Sequence, residues 1–448
     1  MFQKKMSAIK VPHHKNAAGI ATEIMTPPDE VLLPLKTSSH GIASNVPLVQ
    51  PGDHVYLGQL VAGENGKGTA VIHAPVSGTV VSIDDPVFTT NGTGSGIRIK
   101  SDGKMEPDPS ITVPQVNTLD DFLAALRQSG IVGLGGAAYP LWAKLDAIRK
   151  GPIKTVLVNG AECEPFITSD HRTMLDNTDL IVKGVEILRE YLKSEEFIIG
   201  IEENKPDAID KLRNAFADMP YVNVKPLKSV YPQGAKQLLL YNGAGLVVKE
   251  GQRLAALGCI IINITTLTKM AEFVTTGMPL VERCLTVDGS AVKEPKNLIV
   301  PVGTPVRYLL EQCGGAKAPV GKLIFGGPMM GKTGYSLDQP IVKASNAVVL
   351  LSEKDAKALE PTDCIHCGRC DDTCPLGLNP KEDTRVLEEV DDADEQYRIL
   401  EKEHILTCME CGCCSYVCPA HRPLVENNRK AKGIVKKVRA AQKEAAGK

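Results

Sequence analysis

At 448 residues the chain is too long for one hydrophobic core, and about three or four folding units are expected. A formal net charge of -2 with 23% charged residues offers no global basic field for nucleic acid. Thirteen cysteines in short clustered spacings, behind an N-terminus (MFQKKMSAIK) without an apolar leader, argue for metal sites in a reducing cytoplasm and against a secreted disulfide framework.

In chain order, the strand-like runs VLLPL, HVYLGQLV, TAVIHA, GTVVSI and GIRIK alternate with the turns PGD, GENGKG, APVSG and TNGTGSG, which predicts a small all-β unit over 1–110. From about residue 119, LDDFLAALRQ shows helical spacing, and a glycine-rich stretch and the buried-strand run TVLVNG follow. FIIGI and CIIINI then alternate with DLIVKGVEILREYLK and DAIDKLRNAFADM, predicting an α/β unit with a parallel sheet over 111–280. CLTVDGSAV, KNLIVPVG, PVRYLLEQCGG and GKLIFGG form a compact strand-and-helix module over 281–352, and helix-favouring charged residues surround the cysteine motifs of 353–428. No apolar run approaches the roughly 18 residues that span a bilayer, so membrane association is expected to be peripheral. Arg429, Lys430, Lys432, Lys436, Lys437, Arg439, Lys443 and Lys448 make 429–448 a basic tail, suited to an acidic partner, an anionic membrane face or plain solvation.

The strongest chemical signal is a repeated C-x2-C-x2-C-x3-C-P spacing: Cys364, Cys367, Cys370 and Cys374 before Pro375, then Cys408, Cys411, Cys414 and Cys418 before Pro419. Three closely spaced thiolates take three corners of a cubane, and the cysteine before proline ligates the other cluster. This assigns Cys364, Cys367, Cys370 and Cys418 to one [4Fe-4S] cluster and Cys408, Cys411, Cys414 and Cys374 to a second. Zinc would require separate tetrahedral sets, which His366 alone does not supply. Cys413 reads as a neighbour of the cluster, and Cys259, Cys284 and Cys313, in apolar segments, as buried structural thiols.

Two further segments suit a nucleotide. Gly133, Gly135 and Gly136, with Tyr139 and Lys144, combine unobstructed backbone amides with a cation, although a plain glycine turn reads equally from the pattern. Asn159, Glu162 and Glu164 follow the buried strand at the end where open α/β sheets bind ligands; the alternative is a pair of solvated loop carboxylates. Gly326–Thr333 satisfies G-x-x-x-x-G-K-[ST], but the continuation GYSLDQP is turn-forming and carries a proline, so it is not a nucleoside-triphosphate loop.

Taken together, VPLVQPGDHVYLGQLV through IHAPVSGTV, GLGGAAYP, NGAECEPFITSDHR, YPQGAKQL, FGGPMMG and the doubled cysteine motif resemble the RnfC family. This is the NAD-facing peripheral subunit of the Rnf ferredoxin:NAD+ oxidoreductase. The resemblance implies a barrel-sandwich hybrid, a Rossmann-like FMN/NADH domain like the flavin subunit of respiratory complex I, a β-grasp SLBB-like module and a helical ferredoxin domain. It implies that Gly133, Gly135, Gly136 and Lys144 hold FMN phosphate and ribityl groups, with Asn159, Glu162 and Asn263 around the isoalloxazine. Tyr139 and Glu164 are implied to face NAD(H), and Gly234 to lie beside them, where Ala235 and Lys236 replace the relative's paired glutamates. The barrel sandwich brings no carrier function, since Lys67 lies in a GKG turn and not at a modified hairpin apex.

A flavin between nicotinamide and clusters is physically required, because nicotinamide exchanges two electrons as hydride and each cluster accepts one. The implied partners are the other Rnf subunits and, through them, ferredoxin, at the cytoplasmic face of the membrane. A microcompartment cobalamin reductase is the rival, disfavoured because about 110 residues precede the flavin domain here, and a non-catalytic iron–sulfur relay scaffold is a third reading.

Overall fold

The computed structural model describes residues 6–36, 44–66, 68–89, 92–136 and 138–446. Lys67 and Lys448 lie outside them.

The β-rich N-terminal unit forms as expected, its alternating residues turned inward. A four-stranded sheet runs in the order Glu30–Pro34, Gly92–Ser101, Gly78–Thr89, His54–Val55, and faces a three-stranded one of Val46–Pro47, Leu60–Gly63 and Ile72–His73. Val31, Leu33, Val55, Val61, Ile97 and Ile99 fill the space between them. Residues 6–28 run outside this unit. They form a strap along the following units: Glu23–Ile24 pairs in parallel with Leu298–Ile299, and Asn16 and Ala17 bond to Asp288 and Asn297. The expected 1–110 unit therefore lends its first residues to its neighbours.

The helix Leu119–Gln128 begins where a capping box sets it, Thr118 and Asp121 exchanging hydrogen bonds with each other's backbone. Beyond it lies the expected parallel sheet, in the order Val222–Leu227, Glu196–Glu202, Thr155–Gly160, Cys259–Asn263. All but the edge strand Val222–Leu227 are largely buried on both faces, which is why they read as apolar runs. Strand order reverses at Thr155–Gly160, and the crevice beyond the carboxyl ends at such a switch point is where open α/β sheets bind ligands.

The third unit is a mixed six-stranded sheet that includes Glu282–Asp288, Lys296–Pro301 and Ala347–Ser352, with Glu23–Ile24 at one edge and Lys332–Thr333 at the other. Lys332–Thr333 turns back on Ile324–Phe325, so the glycine-rich G-K-T segment closes a hairpin and opens no helix.

The last unit is helical. The segment read as a basic tail continues the helix Leu424–Ala446, whose Ala431 and Val435 pack on Val386, Leu400 and Ile405. The alternation of apolar and basic residues, and not the charge run alone, decides this.

Gly184 sets the approach of two helices over the sheet, since a Cβ there would lie 2.8 Å from Leu267 Cγ and 3.0 Å from its carbonyl oxygen. Gly184→Leu is expected to cost about 1–3 kcal/mol by overpacking, read as a lower urea midpoint in far-ultraviolet circular dichroism. An unchanged midpoint shows that the contact is slack.

Candidate functional site

Asn159, next to last in the inner strand Thr155–Gly160, and Asn263, the last residue of the edge strand Cys259–Asn263, are register partners, so they stand side by side at the switch point. Asn263 also caps the helix Ile264–Thr276, accepting from the Thr266 amide at 3.1 Å and donating to Asp170 at 2.7 Å. The glycine loop is closed by a bridge between Val132 and Pro140 and fastened to this helix start, the Leu134 amide donating to Thr266 at 2.8 Å and the buried Arg283 donating to the Leu134 carbonyl at 3.2 Å. Gly135 is required here: a Cβ would meet that of Asn263 at 3.3 Å. Gly136, at φ +102°, takes a backbone that side chains rarely adopt.

Lys144 stands close enough to Lys236 that burial and this second cation together press its ammonium down to about 8. Neither lysine has an ion-pair partner among the described residues, so two cations converge with no anion between them. Lys236, a departure from the flavin-domain pattern in sequence, adds charge to a phosphate-type site.

The loop after Gly160 is held in a costly conformation, with Glu162 at φ 50° and Phe166 at φ 70°. Two lysines hold it. Lys15, from the N-terminal strap, donates to the carbonyls of Glu162, Glu164 and Ile167 at 2.8, 2.9 and 2.5 Å. Lys205, fully buried beside Glu202, donates to the Ala161 carbonyl at 2.8 Å. The loop carboxylates are therefore not solvated. Glu162 accepts from the Asp170 and His171 amides that open the helix Ser169–Asp176, and burial raises its carboxyl well above the usual range.

Glu164, implied by the resemblance to face NAD(H), is bound to the third unit of the chain. Its two oxygens accept from the Met329 and Met330 amides at 3.0 and 2.8 Å, which spends it on the G-K-T hairpin loop, and burial pushes it up to about 7. Tyr139, by contrast, remains 39% exposed beside the glycine loop.

Gly234 completes the crevice: its carbonyl accepts from Asn159 at 3.1 Å and its amide donates to Cys163 Sγ at 3.3 Å. Three residues before it, the buried Tyr231 donates its hydroxyl to the Cys411 carbonyl at 2.7 Å. Tyr231, Cys163, Cys411 and Cys413 share one apolar cluster, so the nucleotide crevice and the second cysteine motif touch.

Both cysteine motifs fold alike. His366 and Gly368 in one, Glu410 and Gly412 in the other, take positive φ at matching places, curling the loop around its thiols. Cys364, Cys367, Cys370 and Cys418 line one cavity of about 400 Å³, whereas Cys408, Cys411, Cys414 and Cys374 line another, tighter pocket. The fourth cysteine of each motif thus joins the other motif's set. Donors already aim at sulfur: the His366 amide at Cys364, the Leu378 amide at Cys374 and the Asn428 side chain at Cys408, at 3.4, 3.3 and 3.5 Å. Such donors stabilise thiolate and cluster charge. Cys364 and Cys367 are exposed, while Cys411 and Cys414 are buried. Cys413 is buried beside the second set, and Cys259, Cys284 and Cys313 are buried in the cores, as expected.

Lys15 and Lys205 carried no sequence signal that separates them from ordinary surface residues, and Tyr231, although it opens the segment YPQGAKQL, gave no sign of its contact with Cys411. Lys15→Met is expected to destabilise the fold by about 2–4 kcal/mol, because three buried carbonyls lose their donor, measured by chemical denaturation. A loss below about 0.5 kcal/mol shows that water replaces the ammonium.

Matches to family models follow the chain: an RnfC barrel sandwich hybrid domain over residues 5–104, a Nuo51 FMN-binding domain over 126–272, an SLBB domain over 285–333 and a 4Fe-4S dicluster domain over 360–422. The corresponding subunit of the proton-translocating ferredoxin:NAD(+) oxidoreductase complex of Clostridium ljungdahlii is 38% identical over 393 residues, covering 86% of this chain and 85% of that one. Its counterpart in the Na(+)-translocating complex of Acetobacterium woodii is 37% identical, covering 79% and 80%. The matching subunit of the ion-translocating oxidoreductase complex of Pectobacterium carotovorum is 38% identical over 79% of this chain but 48% of its own length. An NAD+-reducing [NiFe]-hydrogenase chain overlays at a TM-score of 0.48 with 14% identity, over 74% of this chain and 67% of that one, too remote to bear on function. With all four matches in this order and such identity over most of its length, the chain belongs to the RnfC family of ion-translocating ferredoxin:NAD(+) oxidoreductase complexes.

Proposed function

We propose that this chain is the electron-carrying subunit of such a complex, with FMN at the switch point, a [4Fe-4S] cluster in each cysteine set, NAD(H) as substrate and the other members of the complex as partners. The contact through Tyr231 between the nucleotide crevice and the second cysteine motif carries this reading. An isolated flavin domain or an isolated dicluster domain has no use for it.

The residues fit a flavin phosphate. Gly135 and Gly136 leave the backbone uncovered, whereas the Gly133 amide already donates to the Tyr139 carbonyl at 2.8 Å and serves to close the loop; Lys144 and Lys236 supply unneutralised charge, and the helix capped by Asn263 begins beside the loop. Asn159, Asn263 and Glu162 would surround the ring system, and Tyr139 would take the nicotinamide side. Bound flavin exchanges hydride with nicotinamide and single electrons with clusters. The protein orients that exchange by placing Cys374, Cys408, Cys411 and Cys414 inward and the set with exposed Cys364 and Cys367 outward. Partner subunits would meet the outward set.

No helix among the described residues is long and apolar enough to cross a membrane, and we place the chain at the cytoplasmic face, held there by its partners. The cobalamin-reductase reading gains nothing, because the RnfC barrel sandwich matched at residues 5–104 precedes the flavin unit here and the named relatives are subunits of ferredoxin:NAD(+) oxidoreductase complexes.

Anaerobically purified protein is expected to contain about eight irons, to retain FMN and to reduce an artificial acceptor with NADH. Zinc in place of iron, or refusal of flavin, overturns the proposal. The Lys144 ammonium also predicts a pH dependence. An anion bound beside it raises its pKa above about 8, so binding takes up a proton and FMN affinity falls as pH rises through that value. Calorimetry in buffers of different ionisation enthalpy measures the uptake, and an affinity flat between pH 7 and 9 removes Lys144 from the phosphate site.

A further inference from the structure

We infer that the outer face of the C-terminal helix is an electrostatic docking strip for an anionic phospholipid surface. The helix Leu424–Ala446 has two unlike sides. Its inner side is committed to the ferredoxin unit: Ala431 and Val435 enter that core, Asn428 reaches Cys408 Sγ, and Lys432 donates to the Cys408 carbonyl at 2.8 Å. On its outer side Lys430, Lys436, Lys437 and Lys443 are all exposed.

Among the described residues none of these four lysines has an ion-pair partner, unlike Arg429, which pairs with Glu410 and Glu426. At 100° per residue, Lys430 and Lys437 form one row and Lys436 and Lys443 a second, with the exposed Gly433 and Ala440 between them and the exposed carboxylates Glu426 and Glu444 in the same sector toward the two ends, so cations outnumber anions on this side. The rows extend along about 20 Å of helix. Two rows of long flexible cations flanking a middle of small residues, with one carboxylate near each end, can lie flat on a charged plane.

Side-chain chemistry chooses the partner. Protein interfaces are enriched in aromatic residues, methionine and arginine and depleted in lysine. Here no large apolar side chain stands exposed among the lysines, so the strip has nothing to seat in a protein pocket. A lipid surface needs no such anchor, because each lysine near anionic headgroups contributes additively. The absence of exposed apolar residues also means that the helix rests on headgroups without inserting. This contact is independent of the electron path and holds whether or not flavin is bound.

The test is co-sedimentation of the full-length, cluster-loaded protein with vesicles of phosphatidylcholine alone and of phosphatidylcholine mixed with phosphatidylglycerol. Binding is expected only to the mixed vesicles, and to fade as salt shortens the screening length from about 10 Å toward about 3 Å. The variant combining Lys430→Gln, Lys436→Gln, Lys437→Gln and Lys443→Gln is expected to lose at least about tenfold in partitioning, each lysine contributing roughly fivefold at low ionic strength. Its visible cluster absorbance and NADH-dependent acceptor reduction should remain those of the parent, because none of the four touches a cysteine or the crevice. Equal binding to neutral vesicles, no binding to either, or an undiminished variant overturns the inference. So does an acidic partner protein that requires the four lysines while vesicles are ignored.

Discussion

Everything at the crevice depends on one constraint: the carbonyl oxygens of the loop after Gly160 are buried and must find donors, and two ammonium groups supply them. Lys15 and Lys205 reach the loop from opposite ends of the sequence around it, one from the N-terminal strap and the other from the segment after the strand Glu196–Glu202. A buried carbonyl without a donor costs about 1–3 kcal/mol, enough to undo the left-handed backbone at Glu162 and Phe166. With the carbonyls satisfied, the loop keeps that strained path, and its side chains are freed for other work. Glu162 then closes the start of the next helix, and Glu164 grips the hairpin loop at Met329 and Met330. Three units of the chain meet on one short loop in this way.

The same region segregates charge. Buried carboxyls at Glu162, Glu164 and Asp170 are each surrounded by backbone or side-chain donors of the protein itself, so they need no ligand. Lys144 and Lys236 are the opposite case, two cations on separate elements whose like charge works against them until an anion arrives. The distinction between a carboxylate that builds the site and a cation that awaits a ligand rests entirely on these partners.

Cluster placement follows from how the helical unit is pinned. Tyr231 fixes the second motif at Cys411, the Met329 carbonyl lies 3.0 Å from where a Cβ on Gly412 would stand, and Asn428 and Lys432 hold Cys408 from behind. The inward cysteine set is therefore anchored to the nucleotide crevice through apolar contact, while the outward set opens to solvent. One polypeptide can thus present a site for two-electron chemistry at one end of a chain of contacts and a surface for single-electron partners at the other.

Much of this was legible in the residues themselves. The cysteine spacing with its two prolines determined which thiols gather in one set, the apolar runs determined the parallel strands, and Thr118 and Asp121 determined where a helix starts, because each of these is a local signal. Asn159 was legible at the end of a buried strand and Asn263 only through the family resemblance, and the sheet alone made them register partners. What tertiary structure alone decided was long-range pairing. Lys15 meets Glu162 across 147 residues, Tyr231 meets Cys411 across 180, and a two-residue strand at Glu23 completes a sheet begun beyond residue 280. None of these leaves a periodic trace, since a lone lysine or tyrosine looks the same in sequence whether it faces water or a buried carbonyl, and only the folded chain brings the two within hydrogen-bonding distance.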